Sequence, residues 1–120
     1  MNNMELKAKI IEHYGADHQL AKAVEELTEL THVIARRLQD KVWDENAFFE
    51  ELADVYAMLD QVKLIFVEEV AKKKYDSAIF NNNDVLSVVD ICLENAELQK
   101  MERTKKRMKT GGAYGKENSN

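Results

Sequence analysis

A chain of 120 residues with 45% hydrophobic content has room for one folded domain and is too apolar for a disordered segment. Its formal net charge of -5, with 32% charged residues, excludes a dedicated nucleic-acid binder, whose domain is usually basic. An anionic substrate remains compatible, because a bound divalent cation reverses the local sign. The lone Cys92 cannot form an internal disulfide, which fits a cytoplasmic protein. Met1 to Lys9 lacks the apolar core of a signal peptide, and no apolar run is long enough for a bilayer, so no membrane association is expected.

With no proline and only four glycines, at Gly15, Gly111, Gly112 and Gly115, long stretches lack any helix breaker, and an all-α fold is predicted. A first helix is expected from about Met4 to Tyr14, stopped by Gly15. Asp17 is a candidate N-cap for a second helix reaching about Gln39, with Leu20, Ala23, Val24, Leu27, Leu30, Ile34 and Leu38 as its inner stripe. Asp40 to Asn46 reads as a connection in which Asp44 or Asn46 caps the next helix. That third helix is expected to reach about Lys73 and to bury Phe48, Leu52, Val55, Leu59, Val62 and Phe66. Lys72 to Phe80 reads equally as helix or loop. Asn81 to Asp84 form a polar break before a fourth helix, about Val85 to Lys109, which becomes basic at its end. The domain is therefore placed at residues 1–109, in four or five helices, with 110–120 as a disordered tail.

The second and third helices carry an internal echo. Glu25-Glu26-Leu27-Thr28-Glu29-Leu30 resembles Glu50-Glu51-Leu52-Ala53-Asp54-Val55. Each holds two acids three residues apart, Glu26 with Glu29 and Glu51 with Asp54, hence on one helical face. At about 100° per residue, Glu26 lies beside Leu27 and near the direction of Val33, and Glu51 lies beside Leu52 and near Met58. Both acid pairs thus flank the apolar stripe of their own helix. Antiparallel packing through those stripes would bring four carboxylates to one seam, where repulsion demands compensation. A hard divalent cation, Mg²⁺ or Mn²⁺, suits an all-oxygen ligand set. The competing reading leaves Glu-rich faces solvated on a non-catalytic helical interaction protein.

At these residues the chain resembles the MazG-like nucleotide pyrophosphohydrolases of the all-α NTP pyrophosphatase superfamily. That family is marked by a Glu-x-x-Glu helix followed by a Glu-x-x-Asp helix. The similarity spans roughly Glu12 to Phe66 and takes in Tyr14-Gly15, Gln19-Leu20 and the run from Glu51 to Lys63, with a looser echo in Lys100, Arg103 and Arg107. The resemblance implies a helical bundle assembled as a homodimer or homotetramer. It implies Mg²⁺ held by Glu26, Glu29, Glu51 and Asp54, and hydrolysis of a nucleoside triphosphate at its α-phosphorus to monophosphate and pyrophosphate. A dNTP or non-canonical nucleotide is the implied substrate, in a nucleotide-pool housecleaning role. Either a motif carboxylate or a neighbour, Glu25 or Glu50, would accept the water's proton.

Further substrate contacts are open to several residues. Gln19 belongs to the shared motif. Trp43 in the connection is a candidate for stacking on a base, as are Phe48, which equally suits the core, and Tyr56. Lys63 resembles a lysine of phage-type relatives and is a phosphate candidate. Lys100, Arg103 and Arg107 either reach phosphates, in this or a neighbouring subunit, or complement the dipole at the helix end. His32, three residues after Glu29, lacks the second Glu-x-x-His pair of a di-iron site and reads as a surface histidine. Cys92, among Val88, Val89, Ile91 and Leu93, reads as a small core residue.

Overall fold

A computed structural model describes residues 2–71, 73 and 82–111. Among these the chain is all-helical: α1 (Asn3–Tyr14), α2 (Ala16–Asp40), α3 (Glu45–Phe66) with a π-helical turn at Val67–Ala71, and α4 (Asn82–Thr110). No helix is long and apolar enough to cross a membrane, among the residues described.

Local chemistry explains most boundaries. The Asn2 side chain accepts from the Glu5 N–H at 2.8 Å, and the Glu5 carboxylate accepts from the Asn2 N–H at 3.3 Å. This reciprocal cap starts α1 and contributes about 1 kcal/mol. Gly15 ends α1 by donating to the Ile11 carbonyl at 2.7 Å, at a φ of 93° that favours glycine. The Gly15 carbonyl then accepts from the Gln19 N–H at 3.1 Å and so opens α2. The expected N-cap Asp17 is therefore corrected: with no spare residue between the two helices, it lies inside the first turn of α2, where its charge still suits the helix dipole. Lys41 in the left-handed region ends α2, and the Asp44 side chain caps α3 by accepting from the Ala47 N–H at 3.0 Å.

α2 and α3 form an antiparallel hairpin, and α1 packs against both. The seam is rotated from the expected stripes. On α2 the line facing α3 is Gln19, Ala23 and Glu26, continued by half-buried Leu30 and Val33. Val24, Leu27, Ile34 and Leu38, expected inside, are exposed. On α3 the buried line is Val55, Met58, Gln61 and Ile65, with Leu52 and Val62 half-buried, while Leu59 and Phe66 are exposed. The physical reason is the register: a seam running through the acid edge of each helix turns the opposite edge of each stripe away from the partner helix.

The α-helical part of α3 ends at Phe66, and helical geometry continues toward the expected end as the wider π turn through Ala71, with Lys73 helical as well. Val67, 1% exposed, there meets Val85 of α4, 2% exposed, with Leu86 and Val89 packed around them. Burying such a valine contributes roughly 1.5–2 kcal/mol. α4 begins at Asn82, slightly before the expected Val85, and still includes Thr110, where a tail was expected. Past Asp90 it leaves the body, and every residue from Ile91 to Thr110 is exposed. Cys92 is consequently exposed, not a core residue. The expectations for Lys72 to Phe80 and for the tail fall outside the described residues, apart from Lys73, Thr110 and Gly111.

Candidate metal centre in the helical seam

One register relates α2 and α3 along the seam: Gln19 faces Gln61, Glu26 faces Asp54, and Glu29 faces Glu51. Seven residues, close to two turns, separate Gln19 from Glu26 and Asp54 from Gln61, so the polar positions stack as rungs of one ladder. The Gln19 amide donates to the Gln61 carbonyl oxygen at 2.8 Å, and both side chains are buried. That neutral rung satisfies itself. The acidic rungs next to it do not.

Carboxylate oxygens of Glu26, Glu51 and Asp54 all lie within 4.8 Å of one another. Glu26 is only 7% exposed, Glu51 is half-buried, and Asp54 and Glu29 are exposed. Two buried oxygens, Glu26 Oε2 and Glu51 Oε2, have no hydrogen-bond partner. Buried polar atoms are nearly always paired, and an unpaired carboxylate oxygen beside further carboxylates is the costliest kind of exception. Among the described residues Lys22 is paired with this cluster, its Nζ 3.2 Å from Glu26 Oε1 and 3.6 Å from Glu25 Oε1. It neutralises the other oxygen of Glu26 and leaves the orphaned pair untouched.

The electrostatics agree with the geometry. Burial pushes the Glu26 carboxyl above its ordinary value, and the charges of Asp54 and Glu29 add to that, against the opposing bond from Lys22. Glu29 is raised by hydrogen-bonding contact with Glu51 and then by the charge of Glu51. Carboxyl groups meeting in this way either share protons or share a cation. All four motif acids are therefore in one network, three as a tight cluster and Glu29 joined through Glu51.

The residues suggested for the substrate are dispersed. Gln19 is in the seam, engaged with Gln61, and its Oε1 also lies 2.7 Å from the His18 ring. Trp43 is half exposed at the far end of the hairpin, with its ring 4.9 Å from that of half-buried Phe48. It lines an open recess with Arg37 and Lys41. Tyr56 is exposed on α3 and lines a groove with Leu6, Lys7 and Leu93. Lys63 is engaged elsewhere, 3.0 Å from Asp90 of α4 and 3.5 Å from Asp60. Lys100, Arg103 and Arg107 are on the exposed part of α4, away from the acid cluster. His32 is exposed, as expected.

Two partners were not anticipated from the sequence. Gln61 lies seven residues after Asp54, and that interval was its available signal. Lys22 precedes Glu26 by four residues, the spacing of a helical ion pair. Compared with protein families, with curated proteins and with solved structures, the chain matches none.

Proposed function

We propose that this protein is a Mg²⁺-dependent nucleoside triphosphate pyrophosphohydrolase, releasing nucleoside monophosphate and pyrophosphate, with Mn²⁺ as an alternative ion. The observation that carries the reading is the carboxylate cluster with its two unpartnered buried oxygens, lying on the two motifs that resemble the MazG-like family. Glu26, Glu51 and Asp54 would hold the cation, and Glu29 would complete the ligand set from the next turn of α2. When bound, Mg²⁺ neutralises charge on a triphosphate and makes water a stronger nucleophile at neutral pH.

The chain's own groups supply the rest. Rigid helices fix the carboxylates, and the Gln19–Gln61 bond locks the register one rung away. Lys22 keeps Glu26 oriented from its outer side. Glu25, also near Lys22, and Glu50 are the acids outside the ligand set that could take the water's proton. Attack at the α-phosphorus breaks its bond to the bridging oxygen, and pyrophosphate carries that oxygen away. Trp43, with Arg37 and Lys41, offers a surface for a base and phosphates. The exposed apolar side chains Val24, Leu27, Ile34 and Leu38 on α2 fit burial between subunits of a homodimer or homotetramer. The implied substrate is a dNTP or non-canonical nucleotide, and the role is control of the nucleotide pool.

Incubation with Mg²⁺ and a panel of NTPs and dNTPs, dUTP included, followed by chromatographic separation, tests the reading. Monophosphate and pyrophosphate in equal amounts, absent with Glu51→Ala, are expected. Release of orthophosphate would overturn it in favour of attack at the terminal phosphorus, and no turnover with either Mg²⁺ or Mn²⁺ would overturn it and leave a binding protein.

A further inference from the structure

The exposed part of α4 carries a pattern that its own chain does not use. Ile91 and Leu98 fall at the first position of a seven-residue repeat, and Met101 and Met108 at the fourth. All four are more than half exposed, from 55% to 72%. The remaining core positions of the same repeat are Glu94 and Lys105. An apolar seam interrupted by one acid and one base is too specific to be a solvated face and too charged to pack on a purely apolar surface.

The sequence of this seam is symmetric about the point between Gln99 and Lys100. A second copy laid antiparallel across that point places Ile91 on Met108, Leu98 on Met101, and Glu94 on Lys105, each contact occurring twice. Off the seam the charge of the arm is also divided. From Ile91 to Gln99 there is one acid, Glu97, and no cation, and from Arg103 to Thr110 four cations, Arg103, Lys106, Arg107 and Lys109, and no acid, with Lys100 and Glu102 between the two halves. Antiparallel arms set the acidic half on the basic half, whereas parallel arms oppose like charges along their length. We propose that the exposed arm of α4 is a self-association surface, pairing antiparallel with the arm of a second copy of this chain in the register Glu94–Lys105. Apolar contacts supply the attraction, and the two symmetry-related charge pairs fix direction and register, as a polar core position does in a coiled coil. The inference does not depend on the nucleotide reading, because none of these side chains belongs to the acid cluster.

The single native cysteine provides the test. Cys92 is exposed, and at about 100° per residue it lies away from the seam, so a spin label there leaves the contact intact. In antiparallel arms the two labels are separated by fifteen residues of helical rise, about 22 Å along the axis, or about 25 Å with the lateral offset. Pulsed dipolar spectroscopy on the full chain is expected to show that distance. Glu94→Lys alone and Lys105→Glu alone should each abolish it, weakening association roughly tenfold or more through two reversed contacts. Mixing the two variants should restore it, since Glu94 of one then meets Lys105 of the other and the two replacements meet likewise. Labels level with each other across the pair, well under the antiparallel separation and close enough to broaden the continuous-wave spectrum, would indicate parallel arms. No dipolar coupling in the native chain would assign the arm to some other occupant. A distance that both variants retain would mean that copies meet elsewhere. Each of these three results overturns the proposal.

Discussion

The two sides of α3 solve the same problem, charges held among helices, in opposite ways. On the side facing α1 and α4, Asp60 receives Lys7 Nζ at 2.6 Å and Lys63 at 3.5 Å, and Lys63 reaches on to Asp90 at 3.0 Å. Two acids and two bases alternate, and three helices are tied by them. On the side facing α2, four acids meet, and among the described residues Lys22 is the cation paired with them, touching only the edge of the cluster. The titration directions follow. Burial alone would raise Asp60, but the bond and charge of Lys7 and the charge of Lys63 overcome it and hold Asp60 below its ordinary value. Lys63 is raised, first by its bond to Asp90. Glu26 and Glu29 move the other way from Asp60. A charge network that exists only for stability closes on itself, as the first does. The second is left open, at a cost to the metal-free fold, and that openness is what a cation-dependent site requires.

The comparison can be broken most severely at the open side. On the proposed reading Glu51→Ala should lower nucleotide turnover by about 10³-fold or more, because the group would act on the reacting phosphates through the ligand set, and product analysis reads this directly. The same replacement should leave the metal-free protein as stable or more stable, since it removes a repulsive neighbour of Glu29. A thermal melt that fell sharply would count against a strained cluster.

Next in size is the neutral rung between the two sides. Gln19→Leu leaves the Gln61 amide buried without its partner and should cost about 1–3 kcal/mol in denaturant unfolding. Gln19→Leu with Gln61→Leu should recover much of that loss, because no orphaned group remains.

At the closed side, Lys63→Met should cost only about 1 kcal/mol, as its ion pairs are partly exposed and screened by solvent. Turnover at saturating substrate should stay near the native value. A large loss there would instead return Lys63 to the substrate.

The smallest effect, and the sharpest in sign, is the pH dependence of the metal-free fold. Glu26 and Glu29 have folded values above their unfolded ones, so the native state binds protons more readily than the unfolded state. Stability from these groups should therefore rise as pH falls from neutral through their raised values, and level off near the ordinary value of 4.5. Asp60 contributes in the other direction. Its stabilisation is full above 3.8 and is lost as pH falls through its lowered value. Thermal melts in a chelator should then show a maximum in the mildly acid range, and saturating Mg²⁺ should shift that maximum toward neutral pH.

Much of this was legible in the sequence, and the reason is periodicity. The absence of proline and the placing of Gly15 mark the helices, and acids three residues apart on two helices predict a meeting if those helices pair. The rotation of the seam was not legible. Leu27 and Ile34 look like core on a wheel, but a wheel ranks directions by apolarity and does not know which edge of the stripe the neighbouring helix takes. Cys92 misled in the same way: it lies just past Asp90, where the helix that carries it turns exposed on all sides. Lys63 could not be placed from its own helix, because its partner Asp90 is 27 residues further along the chain.

Calorimetric titration of Mg²⁺ into the metal-free protein, with Glu51→Ala and Lys63→Met alongside, tests the central claim most directly. The account predicts saturable binding by the native chain and by Lys63→Met, with protons released at mildly acid pH, and no binding by Glu51→Ala. Native protein that is folded and yet binds neither Mg²⁺ nor Mn²⁺, or Glu51→Ala that binds as the native chain does, would contradict it.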